Sequence, residues 1–472
     1  MDSEAKLPVE TKLKRQQVAE ILPFPAIRYL AGECNYGGRV TDANDRRTLL
    51  TILEDFYNPT LIDDFGEANV NNVNSYQFSV LSESYSMPPM GWLTNNKDYI
   101  KNELPLSDDG PEMYGLHSNA NISCALQETT ALLETALSLQ PQDAAGSSGG
   151  GGQTWDAQVA NLSSAIEARV PTSSKAWDVS LVALKYPVMY EESMNTVLQQ
   201  ELLRFNTLLD VVNSTLIELQ KAIQGLVLLS ADLEQMGTSM VEGSVPTMWK
   251  TYSYPSLKPL GGWVNDLIAR IEFFQLWIDQ NSPPVFWLPG FFFTQSFITG
   301  TRQNHARRSS IPIDEIDYDF QVLTAKVDRL TWIKPQAGCY VHGLFLQGAA
   351  WDTNGSNRLR DATYGQGTLG LDSGSTGEGS LVESTPKELF VSMPVIWFWP
   401  RKIADIPVPL ESLGGTAHVY ICPVYKTSAR RGMLSTTGHS TNFVIAVRLP
   451  VGKTRNHSHW IKRGVAMLSA TD

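Results

Sequence analysis

At 472 residues, with 42% hydrophobic and 10% aromatic content, the chain holds enough apolar side chains for a sizeable core, and its length predicts two or three folding units. A formal net charge of −12 excludes a general affinity for nucleic acid, which needs clustered Lys and Arg to displace phosphate counterions. Cys34, Cys124, Cys339 and Cys422 stand far apart without CxxC spacing, so neither a zinc site nor a disulfide framework is expected, and a reducing compartment fits best.

The start, Met1 to Glu20, is polar and charged, lacks the apolar stretch of a secretory signal, and is expected to be disordered. Leu22-Pro23-Phe24-Pro25 gives a rigid entry to a short helix over Ala26–Leu30, and Gly37-Gly38 turns the chain. Asp42 is placed to cap a helix carrying Leu49, Leu50, Leu53 and Phe56, closed by Asn58-Pro59. Asp42, Asp45, Arg46 and Arg47 are read either as an ion-pair cluster or, more simply, as a capped and solvated helix face. A further helix after Tyr114 is expected to turn Leu126, Leu132, Leu133 and Leu137 to the core, with His117 ahead of it as a structural residue rather than a ligand. Ala144 to Gly152, holding the run Gly146 to Gly152, reads as a flexible insert; no Lys-Ser or Lys-Thr follows it at P-loop spacing.

From Tyr190 to Ser230 the apolar residues Met194, Leu198, Leu202, Phe205, Leu209, Val212, Leu216, Leu219, Ile223 and Leu226 recur at steps of four and three. One long amphipathic helix follows, of about 50 Å at 1.5 Å per residue. Val197, Leu208, Val211 and Val227 widen its face beyond a two-stranded seam, which favours packing within the protein over an outside coiled-coil partner. Gly261-Gly262 is expected to stop an extended piece before a helix from Trp263 to Trp277, ended by Pro283-Pro284. Phe286 to Phe293 puts five aromatic rings in eight residues, too few and too broken by Pro289 and Gly290 to cross a membrane, and is read as a core wedge. Nothing in the sequence is long and apolar enough to span a bilayer. Gln295 to Arg308 looks helical and basic, and Ile311-Pro312-Ile313-Asp314 returns the chain to a strand. Alternating runs at 320–323, 340–346, 395–399, 418–421 and 442–447 then predict an antiparallel barrel or sandwich, interrupted by a mobile Asp352–Glu383 loop.

Three stretches imitate active sites. Gly452-Lys453-Thr454 ends like a Walker A motif, but the first glycine would fall at Val447 inside a strand. Gly438-His439-Ser440-Thr441-Asn442 approaches the G-x-S-x-G elbow, yet Asn442 replaces the last glycine and a strand follows. His457-Ser458-His459 would set two imidazoles on one strand face without a third ligand nearby. No catalytic, cofactor-binding or metal-ligating residue is assigned.

Several longer stretches resemble dynein heavy chains of the axonemal type. Gly32-Glu33-Cys34-Asn35-Tyr36-Gly37-Gly38-Arg39-Val40-Thr41-Asp42 with Asp45-Arg46-Arg47, and Gly115, His117 and Asn119 around Leu116, resemble the helical lid of the sixth AAA+ module. Glu192-Ser193-Met194-Asn195, Tyr252-Ser253-Tyr254-Pro255, Phe291-Phe292-Phe293, Gln303-Asn304, Ala306-Arg307 and Ile311-Pro312-Ile313-Asp314 resemble the family's C-terminal region. So do Arg430-Arg431-Gly432, Leu434 to Val444 and His459 to Ala466. The family pattern would place Pro at Thr294, Ala at Ser296 and Tyr at His305, and it has Glu where this sequence has Gln347 and Arg where it has Ala350, which removes a possible ion pair.

The resemblance implies an α+β protein: a disordered start over 1–20, a helical AAA+ lid over 21–170 with its insert at 144–152, long helices and the aromatic wedge over 171–310, and a β-barrel-like C-terminal domain over 311–472. It implies part of a minus-end-directed microtubule motor with no ATPase site of its own, ATP and Mg belonging to AAA+ modules outside this sequence. The implied partners are the rest of the motor ring, the dynein intermediate, light intermediate and light chains, and microtubules through a stalk outside this sequence; no nucleic acid or membrane is implied. The implied location is the cytoplasm and cytoskeleton, in the axoneme of a cilium or flagellum. A stand-alone regulatory or scaffolding protein derived from this region is the alternative, and a Ser/His hydrolase a remote third.

Overall fold

The computed structural model describes residues 22–57, 116, 119–138, 154–172, 177–323, 332–352, 379–385, 387–406, 419–430, 432–436, 438–452 and 456–471. The expectations for 1–20, His117, 144–152, most of the 352–383 loop, Lys453 and Thr454 lie outside those residues. Helix α1 (Phe24–Tyr29) accepts a proline in its first turn, where the missing N–H would have no intrahelical partner, and runs into a wider π-type turn at Leu30–Asn35. Gly32 lets Leu50 pack close there, since a Cβ would lie 2.4 Å from a Leu50 methyl and force that side chain to shift. Helix α2 (Ala43–Phe56) is capped as expected: the Asp42 carboxylate accepts from the N–H groups of Asn44 and Asp45. Helix α3 (Asn119–Ser138) departs from expectation. Its Leu126, Leu132 and Leu133 are exposed, so no described residue covers the face predicted to be core.

The next seven helices build around one of them. They are α4 (Trp155–Glu167), α5 (Val179–Lys185), α6 (Ser193–Ile223), α7 (Ala231–Val241), α8 (Thr247–Tyr252), α9 (Leu260–Gln280) and α10 (Thr294–Ser309). The other six all pack on α6. Its stripe from Met194 to Leu219 is buried, with Leu198, Leu202, Phe205, Val212, Leu216 and Leu219 wholly removed from solvent. The long helix is thus the axis of its own fold rather than an arm. It stops sooner than the periodicity predicts: Gly225 takes φ 72°, and Leu226 and Val227 lie beyond the end, exposed. Helix α9 likewise begins earlier, with Pro259 as its N-cap and Gly261-Gly262 inside its first turn, where the glycines do not break it. It ends on Asn281 at φ 69°, ahead of the two prolines. The wedge is core, as predicted: Phe291 lies 4.4 Å from Phe297 and Phe292 5.6 Å from Phe205 between ring centroids. Phe293 alone turns outward and takes the Arg204 guanidinium over its ring at 5.3 Å.

The β-rich end corrects the barrel expectation while the α+β class stands. Strands β1 (Val285–Trp287), β2 (Ile316–Leu323), β3 (Cys339–His342) and β8 (Val395–Lys402) form one open sheet in the order β1-β3-β8-β2. Strands β4 (Phe345–Gln347), β7 (Phe390–Ser392), β9 (Val419–Tyr425), β10 (Phe443–Pro450) and β11 (Ala466–Leu468) form a second in the order β10-β9-β11-β4-β7. Both are mixed, because β1 runs parallel to β3 and β11 parallel to β9. The physical reason is Gly343 at φ 92°, which breaks the predicted run Tyr340–Leu346 and sends its halves to different sheets. A Cβ there would strike Trp287 at 2.6 Å. The ends of the predicted 352–383 loop are also strand, β5 (Ala350–Asp352) pairing with β6 (Ser380–Val382). His457 and His459 are not on a strand; they open helix α11 (His457–Lys462), capped by Asn456. One continuous apolar core runs from Val159 in α4 through α6 and the wedge to Met467 in β11.

Candidate functional site

Two polar clasps bring the family-like stretches together. The first joins the first helices to the last sheet. One Asp42 oxygen caps α2, and the other accepts the Ser440 N–H at 2.7 Å, while the Ala43 N–H donates to the Gly438 carbonyl at 2.9 Å. Beside them Asn44 Nδ2 lies 3.5 Å from His439 Nδ1, and the His439 ring stacks on Phe443 at 4.2 Å. One turn along α2, Arg47 donates to the Ile421 carbonyl at 2.9 Å. At the far end Lys462 of α11 binds the Asp55 carboxylate at 2.5 and 2.6 Å. The helix N-terminus, whose first N–H groups lack intrahelical partners, is thereby tied to a loop about 400 residues away.

Of the two expectations for Asp42, Asp45, Arg46 and Arg47, the mutual ion-pair cluster does not form, since Arg46 pairs with Glu33 at 3.0 Å and Arg47 reaches the sheet; the capped face is found, but it is partly docked rather than simply solvated. Burial, with Asp42 beside it, pushes the Asp45 carboxyl above the ordinary range, against an opposing pull from Arg430.

The same clasp explains the elbow-like stretch. Ser440 is buried; its hydroxyl donates to the Arg430 carbonyl at 2.9 Å and its N–H to Asp42, and among the described residues no imidazole reaches its oxygen. It is a docking turn. His457 and His459 turn to separate partners, Nδ1 of the first 3.3 Å from the Val419 carbonyl and Nε2 of the second 3.1 Å from Glu383. Among the described residues no three His, Cys, Asp or Glu side chains converge as a metal site.

The second clasp fixes the start of α6 to α10. Glu192 accepts from the Met194 N–H at 3.3 Å and Asn304 Nδ2 at 2.6 Å, and pairs with Arg308 at 3.1 Å. Asn304 Oδ1 accepts the Ser193 N–H at 2.7 Å, so a side chain from another helix caps α6. The Ser193 hydroxyl donates to Gln303 and accepts from Arg307, which also donates to the Tyr190 carbonyl and lies over the Tyr190 ring.

Two buried charges, Glu201 and Arg270, and the half-buried Arg430 stand outside the sequence expectations. Glu201, wholly buried, accepts the N–H groups of Phe292 at 2.5 Å and Phe293 at 3.1 Å and pairs with Arg204 at 2.9 Å. Burial pushes its carboxyl up despite those donors. Arg270 binds Asp266 at 2.7 Å, Lys258 binds the same carboxylate at 2.8 Å, and the guanidinium lies 3.6 Å over Tyr254. Arg430, in the left-handed region at φ 54°, donates to the Gly464 carbonyl at 2.7 Å and to Gln347 Oε1 at 2.5 Å. The signal was available for two of them: Glu201 sits inside the apolar stripe between Leu198 and Leu202, and Arg270 beside Ile271.

Gln347 thus occupies the point where the family's glutamate would meet Arg430, a cation whose pKa burial lowers. Gln347→Glu is expected to raise stability by about 1–2 kcal/mol, since a carboxylate strengthens a hydrogen bond already in place. Urea unfolding checks it; a midpoint unchanged or lowered means that desolvating the new carboxylate outweighs the gain.

Residues 126–469 match the C-terminal domain of dynein heavy chains, and residues 5–120 match the AAA lid domain of dynein heavy chains. The protein is 45% identical over 453 residues to dynein axonemal heavy chain 1 of Mus musculus, an alignment that takes in 96% of this sequence and 9% of that protein. It is 44% identical over 451 residues to dynein axonemal heavy chain 3 of Homo sapiens, taking in 96% and 10%, and 44% identical over 453 residues to dynein axonemal heavy chain 12 of Mus musculus, taking in 96% and 13%. It therefore spans about a tenth of the length of these relatives. The first clasp ties the lid match to the end of the C-terminal match, and the protein belongs to the dynein heavy chain family, as the C-terminal region of its axonemal members.

Proposed function

We propose that this protein works as the C-terminal portion of an axonemal dynein heavy chain within a minus-end-directed microtubule motor, in the axoneme of a cilium or flagellum. Its role is to brace the lid of the sixth AAA+ module against the C-terminal domain; ATP and Mg act in earlier modules of the heavy chain, and microtubules are held through its stalk. The intermediate, light intermediate and light chains join it through the assembled complex, and the remainder of the motor ring is its direct partner. The observation that carries this reading is the Asp42–Ser440 and Asp55–Lys462 clasp, whose contacts tie the lid helix α2 to the last loop and helix of the C-terminal match. The exposed Leu126, Leu132 and Leu133 of α3 add an apolar face suited to the ring.

A heavy chain with both Asp42→Ala and Lys462→Glu in this region is expected to keep basal ATP turnover and to glide microtubules at an altered velocity. Unchanged gliding by a clasp-broken motor would overturn the bracing role. The protein by itself is expected to bind no ATP, because its sequence holds no Walker A glycine–lysine spacing to cradle a phosphate. Saturable nucleotide binding removed by Lys453→Ala would overturn that.

A further inference from the structure

We propose that Ser310 is a phosphorylation site for a basophilic Ser/Thr kinase, and that its phosphate loosens the second clasp. Arg307-Arg308-Ser309-Ser310-Ile311 is the one place in the sequence where two adjacent arginines precede a serine by two residues and an apolar residue follows it. That spacing suits a kinase groove with carboxylates for the two guanidiniums, which bind by charge-assisted, bidentate hydrogen bonds, and an apolar pocket for the residue after the serine.

The structure presents this serine at a favourable point. Ser310 is the residue after the last turn of α10, exposed, in the left-handed region at φ 53° and ψ 41°. Pro312 holds the backbone beyond it extended, with φ −55° and ψ 138°. Beyond its own hydrogen bonds the last helical turn is held by side-chain ties to the segment before α6: the half-exposed Arg308–Glu192 pair, of a kind worth about 0–1 kcal/mol, and the Arg307 contacts with Ser193 and Tyr190, all of which the two arginines must release to enter the groove. Helix ends of this kind open at little cost, which lets residues 307–311 enter a kinase groove as an extended strand.

In the transfer, the Ser310 Oγ attacks the γ-phosphorus of ATP. The Oγ–P bond forms, the bond from the γ-phosphorus to the bridging oxygen breaks, ADP leaves, and the serine proton passes to the kinase's catalytic aspartate. The product is a dianion at a helix C-terminus, where the macrodipole repels negative charge, next to two arginines that attract it. Arg308 then leaves the Glu192 carboxylate for the phosphate, and Arg307 is drawn from Ser193 and the Tyr190 carbonyl. The cap that fixes the start of α6 loses its cationic half, while Asn304 stays on Glu192 and Ser193.

The test uses the full-length protein, Mg-ATP and the catalytic subunit of a basophilic kinase, with the phosphopeptide located by mass spectrometry. One phosphate is expected on Ser310; Ser310→Ala abolishes it, and Ser309→Ala leaves it in place. Phosphate on Ser309 instead, or on Ser310 only after heat unfolding, overturns the site. Hydrogen exchange of the phosphorylated protein is expected to rise at residues 190–195 and 306–311 and nowhere in β9 to β11. Equal exchange in both forms, with Ser310 fully phosphorylated, overturns the coupling to the clasp.

Discussion

Phe205→Asp is expected to abolish the cooperative unfolding transition of the protein. The ring is wholly buried and touches Trp177, Tyr254, Phe274 and Phe292, with centroids 5.5 to 6.5 Å away. Truncating such a ring alone costs about 3–5 kcal/mol. A carboxylate in its place adds the penalty of an unpaired buried charge, and the sum approaches the roughly 5–15 kcal/mol by which a whole domain is stable. Leu203→Asp, on the exposed side of the same helix, is expected to shift stability by about 0.5 kcal/mol or less. Gln220 is a poor control, because its amide donates to Glu167 at 2.8 Å and a carboxylate there would face another. Circular dichroism melts separate the variants, and limited proteolysis locates the damage. Because one core runs from α4 to β11, the segment after Asp314 should become protease-sensitive in Phe205→Asp. If it stays as resistant as in the parent, the helices and the β-rich end are separate folding units.

Arg270→Met should lower stability by about 3–5 kcal/mol, the usual cost of breaking a buried ion pair from one side. Arg270 and Asp266 are both nearly solvent-free, and removing the guanidinium leaves the carboxylate with Lys258 alone and uncovers the Tyr254 face. The pair also sets an acid limb. Burial works against the Asp266 carboxylate, but Arg270 and then Lys258 outweigh it and hold its pKa below the ordinary 3.8. A carboxylate with a depressed folded pKa contributes stability above its unfolded pKa, and that contribution is lost as pH falls through the folded value. The parent should therefore lose stability as pH falls below about 4, and Arg270→Met should lose less over the same range. Denaturant midpoints across that range decide it; parallel curves for the two proteins would mean that the triad contributes nothing to acid unfolding.

What the sequence revealed followed the range of each interaction. The α6 stripe, the Asp42 cap and the aromatic wedge are local or periodic, and those readings match the structure. Strand partners are not local: a run such as Tyr340–Leu346 looks like one strand until the backbone of Gly343 is seen to turn against Trp287. Periodicity shows that Leu126, Leu132 and Leu133 share a helix face but not whether the rest of the protein covers it. Asn456 was a readable N-cap for α11, and reading it would have kept His457 and His459 off a strand. The clasps were the least legible, because Glu192 and Asn304, or Asp42 and Ser440, are joined only by tertiary folding, and nothing periodic links them. The family resemblance marked these stretches without saying what they touch.

Strand β11 has a consequence for how this protein is made. It lies in the middle of its sheet, between β9 and β4, although its three residues are synthesised after both. Until Ala466–Leu468 leaves the ribosome, the β10-β9 hairpin and the β4-β7 pair are two fragments with facing unpaired edges, the geometry that invites pairing with other polypeptides. A premature stop codon only a few residues upstream would therefore do far more harm than its distance from the long helix suggests, and nascent polypeptides should depend on chaperone cover until residues 466–468 have emerged from the ribosome.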